Sequence, residues 1–155
     1  MKVKGKDIER TLVIIKPDCI EKRLVGKVIS RIEDLGLIIA DVKSKMISSE
    51  ECSALYVRTK VNLPEIYAAV EKVMMESPSI ILVVEGEDAI RKVFELRGLT
   101  NLLQTPEGTI RRDFITDAER ELFRQGKHVK NLMHAAEDKK EAEFEVGLFF
   151  GKKKE

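Results

Sequence analysis

The apolar positions of the chain switch repeatedly between two spacings. Residues 11–15 (TLVII) form an unbroken β-branched run, which predicts a strand covered on both faces. Lys16-Pro17-Asp18 ends it: Pro17 has no N–H for a ladder, and Asp18 suits a helix N-cap. Over residues 20–35 the spacing becomes helical, with Leu24, Val28, Ile32 and Leu35 on one face, Val25 and Ile29 widening it, and Gly36 placed to stop it. Residues 37–46 alternate as a second strand. Ser48-Ser49-Glu50-Glu51 has the composition of a helix start, and Pro64 opens a further helix that Ser77-Pro78 breaks.

Residues 79–84 (SIILVV) predict a third, continuous strand, followed by a helix over 88–96. Residues 98–108 read as a long irregular loop, a kind of connection that is usually functional or mobile. A charged helix follows over 117–125, stopped at Gly126. A short helix is expected over 137–143. Then Phe144, Val146, Leu148 and Phe150 alternate as the buried side of a final strand, with Glu145 and Gly147 on the other side. Residues 1–9 read as a loose start and 152–155 as a solvated tail.

Without its short extra helices this order is βαββαβ. It predicts an α+β, ferredoxin-like fold with an antiparallel sheet and helices packed on it, plus a long loop. No repeat or linker divides residues 1–155, so a single domain is expected. Lys+Arg total 28 and Asp+Glu 27, leaving a formal charge of only +1 and no global field towards nucleic acid or membranes. Aromatic residues make up 5%, too few for an RNA-stacking sheet face. No apolar run approaches a membrane span, and two well-separated cysteines, Cys19 and Cys52, fit a reducing cytoplasm.

His134 is one of two histidines, with Asn131 three residues before it and a carboxylate three after. Glu145 follows closely enough for a helix–turn to bring it within hydrogen-bonding reach of His134. A carboxylate on one ring nitrogen fixes the tautomer and leaves the other nitrogen as a nucleophile. On pattern alone an exposed edge-strand glutamate is the commoner reading. Lys16, at a strand end beside a helix start, suits a phosphate ligand, although a surface lysine is commoner. Gly108-Thr109-Ile110-Arg111-Arg112 sets arginines after a loop, either for bidentate phosphate binding or as a solvated turn. No glycine-rich phosphate cradle is present, and His128 and His134 lack companions at zinc spacing.

In order along the chain, residues 10–43 (RTLVIIKPDCIEKRLVGKVISRIEDLGLIIADVK), 83–93 (VVEGEDAIRKV), 108–114 (GTIRRDF), 131–138 (NLMHAAED) and 143–150 (EFEVGLFF) resemble the blocks of nucleoside diphosphate kinases. The resemblance spans residues 9–150. It implies a magnesium-dependent ping-pong phosphotransferase with nucleoside di- and triphosphates as substrates, assembled as a homo-oligomer, a tetramer or a hexamer. His134 matches the nucleophile and Glu145 the residue that orients it. Lys16, Tyr56, Thr100, Arg111 and Asn131 match nucleotide-site positions. Lys16 and Arg111 would hold phosphates, Asn131 the sugar or bridging region, and Tyr56 would pack by the histidine. Mg2+ would arrive with the nucleotide rather than sit on protein side chains.

Several positions depart from the family pattern. Phe94 stands where a further phosphate-binding arginine is expected, and Arg97, three residues on, is the candidate substitute. Ala136 replaces a small hydroxyl residue and Glu137 an aspartate. Glu65 and Ile66 occupy the place of a base-stacking aromatic, with Tyr67 placed to compensate in part. Residues 114–130 exceed the common family length and are expected to form a flap over the nucleotide. These departures support an alternative, a nucleotide-binding regulatory homologue with weakened transfer; the full set Lys16, Arg111, Asn131, His134 and Glu145 favours the enzyme.

Overall fold

The computed structural model describes residues 2–3 and 6–151, with side chains from Asp7 onward. Short β1 (Lys2–Val3) pairs with the beginning of β2 (Lys6–Ile15). The loose start expected over 1–9 is therefore already strand from Lys6. Its polar stretch is held by pairing with β4, including the Arg10–Glu85 ion pair at 2.9 Å. Next come α1 (Pro17–Glu21), α2 (Val25–Asp34), β3 (Ile38–Lys45), α3 (Ser49–Leu55), α4 (Val57–Asn62), α5 (Pro64–Glu76) and β4 (Ser79–Glu87). The chain continues through α6 (Ala89–Arg97), α7 (Ile110–Phe114), α8 (Asp117–Arg124), β5 (Met133–Ala135) and α9 (Lys139–Phe150).

β3, β4, β2 and β5 lie side by side in that order, and every pairing is antiparallel, as in a ferredoxin-like α+β sheet. The period-2 alternation divides the core. Val13, Ile15, Leu82 and Val84 meet α2 and α6 on one face, through Val28, Ile32 and Val93. Leu12, Ile14, Ile81 and Val83 meet α3, α5 and α9 on the other, through Cys52, Met74, Val146 and Phe149. Truncating one of these fully buried residues, Leu12 for example, costs about 2–5 kcal/mol.

Several boundaries differ from the sequence reading. The helix expected over 20–35 is two helices, broken where Arg23 turns to φ 61°. Asp18 does not cap α1: Lys16 is the N-cap residue, without a side-chain bond, and Asp18 lies buried in the first turn. Ser48 and Glu51 do form a capping box on α3, and Gly36 follows α2 at φ 79°.

The largest correction concerns residues 144–150, which are helix, not strand. Asp138 caps α9 by accepting the Glu141 N–H at 2.8 Å. The buried positions Ala142, Glu145, Val146 and Phe149 follow helical spacing, and Phe144 is exposed. The fourth strand is instead the three residues around the histidine, Met133-His134-Ala135.

Candidate active site

β5 pairs with β2 so that His134 lies opposite Ile14, while Met133 and Ala135 lie opposite Ile15 and Val13. Paired residues share a sheet face, so His134 points to the side covered by α3 and α9. There the imidazole Nε2 meets Glu145 Oε1 at 2.7 Å. Glu145 belongs to the buried stripe of α9, and the His134 side chain is 12% exposed. With Nε2–H donated to the carboxylate, Nδ1 is the nitrogen that carries the free lone pair. The Tyr56 ring, at the α3–α4 junction, packs edge-on against the imidazole with centroids 5.4 Å apart.

Lys16 follows the last residue of β2 in a buried position. Its ammonium donates to the Asn131 carboxamide oxygen at 2.7 Å and lies 5.5 Å from the Tyr56 ring centroid. Burial, and next the Arg111 guanidinium, pull Lys16 down to about 7; Asp18 acts in the opposite sense. Burial and then Arg97 bring Arg111 down to about 9, so it stays protonated at neutral pH. Burial also lowers Arg97, against the Glu137 and Glu141 carboxylates. Three basic side chains thus crowd one another in a region of low dielectric, an arrangement that an anionic ligand relieves.

Arg111 is committed to the backbone as well. It donates from Nε to Asn131 O at 3.1 Å, from Nη2 to Met133 O at 2.9 Å and from Nη1 to Leu99 O at 3.3 Å. Three of its five N–H groups therefore shape the site, and the remainder are free for a ligand. The approach to Leu99 is close because Gly98 (φ 96°) has no side chain: a Cβ there would come within 2.5 Å of Thr105 Oγ1.

One pocket of about 1020 Å3 is lined by all nine residues picked from the sequence: Lys16, Tyr56, Phe94, Arg97, Thr100, Arg111, Asn131, His134 and Glu145. Arg97 lies 4.3 Å over the Phe94 ring, and its Nε donates to Gly98 O at 3.1 Å. The two residues are thus stacked at the pocket wall where a second arginine was expected. Tyr67 does not compensate for the missing stacking aromatic. It is buried, donates its hydroxyl to Glu71 at 2.9 Å, and lies outside the pocket lining. Ile66, Ala69 and Val70 line that side instead. The segment 114–130 contributes α8, tied to the body by Lys22–Glu119 at 2.6 Å, and lends Phe123, Lys127 and His128 to the pocket wall.

Some contributors were not foreseen. Arg58, Lys127 and His128 line the pocket, yet nothing in their spacing separates them from surface cations. Asp18, read as a cap, accepts the Leu132 N–H at 3.0 Å. Its place beside Lys16 was a usable signal, since one helical turn carries both.

A model of the nucleoside diphosphate kinase family matches residues 9–155. A nucleoside diphosphate kinase of Desulforapulum autotrophicum is 36% identical over 143 residues, covering 92% of this chain and 95% of the relative. Among solved structures, a transition-state mimic of the nucleoside diphosphate kinase from Borrelia burgdorferi, with bound vanadate and ADP, has a TM-score of 0.81 at 29% identity, covering 92% of this chain and 87% of that one. A halophilic nucleoside diphosphate kinase from Halobacterium salinarum, in complex with CDP, has a TM-score of 0.79 at 30% identity, covering 94% and 90%. The chain belongs to the nucleoside diphosphate kinase family.

Proposed function

We propose that this protein is a nucleoside diphosphate kinase that passes the γ-phosphoryl group of a nucleoside triphosphate to a nucleoside diphosphate through phosphorylated His134. The observation that carries this reading is the His134–Glu145 pair at 2.7 Å, set in a pocket with Lys16 and Arg111. In the first half-reaction Nδ1 attacks the γ-phosphorus. An N–P bond forms, the bond from that phosphorus to the bridging oxygen breaks, and the electron pair leaves with the nucleoside diphosphate. The second half runs the same step in reverse with an acceptor diphosphate.

Glu145 keeps the proton on Nε2 and balances the ring as it gains positive character. Lys16, Arg111 and Arg97 meet the charge spread over the phosphate oxygens, which is where phosphoryl transfer needs help. Thr100 and Asn131 orient the nucleotide, Tyr56 supports the imidazole, and Phe94 props the Arg97 guanidinium. Contacts to phosphate, sugar and ring faces give broad base choice.

The described residues offer no group of three or more His, Cys, Asp or Glu that could hold a metal. The cationic floor fits phosphates carrying their own Mg2+, which neutralises charge on their oxygens when bound. The binding-only alternative is not favoured, because the nucleophile, its carboxylate and the cations line one pocket.

We place the protein in the cytoplasm as one domain over residues 1–155; two buried free thiols, Cys19 and Cys52, and a family match over residues 9–155 support this. We propose a tetramer or hexamer. Exposed Ile38 (65%) and Val42 (54%) on edge strand β3 suit a subunit contact, which sedimentation analysis tests.

The direct test is incubation with γ-labelled ATP and magnesium. Wild type is expected to take up acid-labile, base-stable label and to release it to GDP. Label that is absent from wild type, or unchanged in His134→Ala, sinks the mechanism.

A further inference from the structure

The segment that carries His134 enters β5 through a backbone conformation that a leucine rarely adopts. Leu132 has φ 76°, and Met133 N donates back to Asn131 O at 2.9 Å. Together these make a three-residue γ-turn of the positive-φ kind, which is rare and strained. Leu132 is also fully buried, in the cluster with Val13, Ile15 and Leu102. A glycine would relieve the strain but leave a hole in that cluster. The chain keeps the leucine, so the turn must be held from outside.

Most backbone groups of the turn have a partner. Leu132 O accepts the Lys16 N–H at 3.0 Å. Asn131 O and Met133 O both accept from Arg111, at 3.1 and 2.9 Å. The Leu132 N–H itself is donated to Asp18 Oδ2 at 3.0 Å. This last bond is charge-assisted and buried, Asp18 being 4% exposed. Asp18 does not line the large pocket, and its other oxygen, Oδ1, has no hydrogen-bond partner. Its Oδ2 holds the turn, and its charge stands opposite Lys16, with which it borders a small cavity.

We propose that Asp18 is a positioning residue for phosphotransfer: by holding the Leu132 N–H it keeps the strained turn closed and fixes the direction in which His134 meets a bound phosphate. The proposal rests on the reading of His134 as nucleophile. Losing the acceptor frees the Asn131–Leu132 peptide to rotate towards negative φ. That rotation pulls Asn131 O away from Arg111 and moves the two side chains flanking the turn, Asn131 and His134. Three residues of β5 pairing are a short lever against such a movement. Misplacement of a reacting group by about 1 Å can cost about 100-fold in rate.

Two substitutions separate positioning from countercharge. Asp18→Asn and Asp18→Ala both remove the charge, but only the asparagine keeps an acceptor oxygen at the right reach. Single-turnover formation of phosphoenzyme from γ-labelled ATP and magnesium is measured at saturating nucleotide, alongside the Kd for ADP. The expected result is that Asp18→Ala phosphorylates about 10- to 100-fold more slowly than Asp18→Asn. Their ADP affinities should differ far less than their rates, within about threefold, because both variants lose the same countercharge to Lys16 and ADP lacks the γ-phosphoryl group that His134 meets.

Equal rates in the two variants, or a rate loss matched by the loss of affinity, overturn the proposal. Hydrogen exchange of the Leu132 amide in the wild-type protein gives an answer even if the alanine variant does not fold. Protection comparable to the β2 amides is expected, and exchange as fast as in an open loop overturns the clamp. Wild type that takes up no label refutes the reading of His134; labelled wild type with equal variant rates refutes only the role of Asp18.

Discussion

On the floor of the pocket, Lys16, Arg111 and Glu145 are each 5% exposed or less, and every one is bonded to a neighbouring element. At the mouth, Val57 is 55% exposed, Ile66 45% and Phe144 54%, and the wall mixes such apolar side chains with charged ones, Arg58 and Lys127 among them. The floor fixes atoms that must be placed to a fraction of an ångström, using charges and hydrogen bonds that are strong because they are dry. The mouth offers contact area to whatever base arrives. This difference explains where the chain departs from the family pattern. Glu65, Ile66 and the segment 114–130 are mouth features, while Lys16, Arg111, Asn131, His134 and Glu145 are floor. Phe94 and Ala136 are exceptions: Phe94 carries Arg97 stacked over its ring, and Ala136 is buried, packs with Ile90 and Ala142, and lies outside the pocket lining.

The comparison breaks most sharply at His134. His134→Ala should lower phosphotransfer from ATP to GDP by about 10,000-fold or more, because it removes the imidazole that the Glu145 carboxylate readies as the nucleophile. A variant with more than a few per cent of wild-type kcat would move the nucleophile elsewhere. Glu145→Ala comes next, with an expected fall of about 100-fold in kcat and little change in KM. The carboxylate's hydrogen bond goes to the imidazole, so steady-state kinetics that show KM rising instead would make Glu145 part of the nucleotide contact.

The same division governs what the sequence revealed. Floor residues were legible because chemistry narrows their types: a histidine with a nearby carboxylate, a lysine at a strand end, arginines after a loop. The two central strands were legible because residues 11–15 and 79–84 are buried on both faces and read as apolar runs. The partner of His134 was found in the wrong element. Phe144, Val146, Leu148 and Phe150 alternate at period 2, yet Leu148 and Phe150 are only half-buried and Phe144 is exposed. The helical period of Ala142, Glu145, Val146 and Phe149 is equally present, and the Asp138 cap decides between them. β5 was hidden because three residues are too few to show any period. The positive φ of Leu132 was hidden too, since no glycine marks it.

Arg97 sits between floor and mouth, and its effect should be intermediate. If its guanidinium takes the place of the arginine replaced by Phe94, Arg97→Ala should raise KM for nucleotides by about tenfold, the loss of one charge-assisted bond. Kinetics with KM and kcat both unchanged would leave the phosphates to Lys16 and Arg111 alone. Acidity offers a further test of the floor. Lys16 is pulled from 10.5 to about 7 in the free protein. A bound polyphosphate favours its charged form, so nucleotide binding above neutrality should take up a proton. Affinity should then fall about fivefold between pH 7 and 8. For folding the sign is opposite. The unfolded chain holds more protons on this lysine between about 7 and 10.5, so its share of stability rises with pH across that window and its burial cost is complete below it. Calorimetry in buffers of different ionisation enthalpy reads the proton directly, and no uptake at pH 8 would mean that Lys16 is already charged in the free protein.

The smallest effect is expected at the mouth. Ile66 lines the pocket, is 45% exposed, and makes no hydrogen bond that positions a reacting group. Ile66→Ala removes three carbons from an already half-open contact, a loss worth only about 1 kcal/mol in such a wall. KM should rise by less than about fivefold, and by the same factor for ADP, GDP and CDP, with kcat unmoved. Placing an aromatic ring there, Ile66→Phe, should lower KM, most for the purines, because their larger faces gain more from stacking. A change in kcat for either substitution would couple the mouth to the alignment of His134 and erase the division between the two regions. A base-dependent loss in the alanine variant would leave that division intact and make Ile66 a determinant of nucleotide choice.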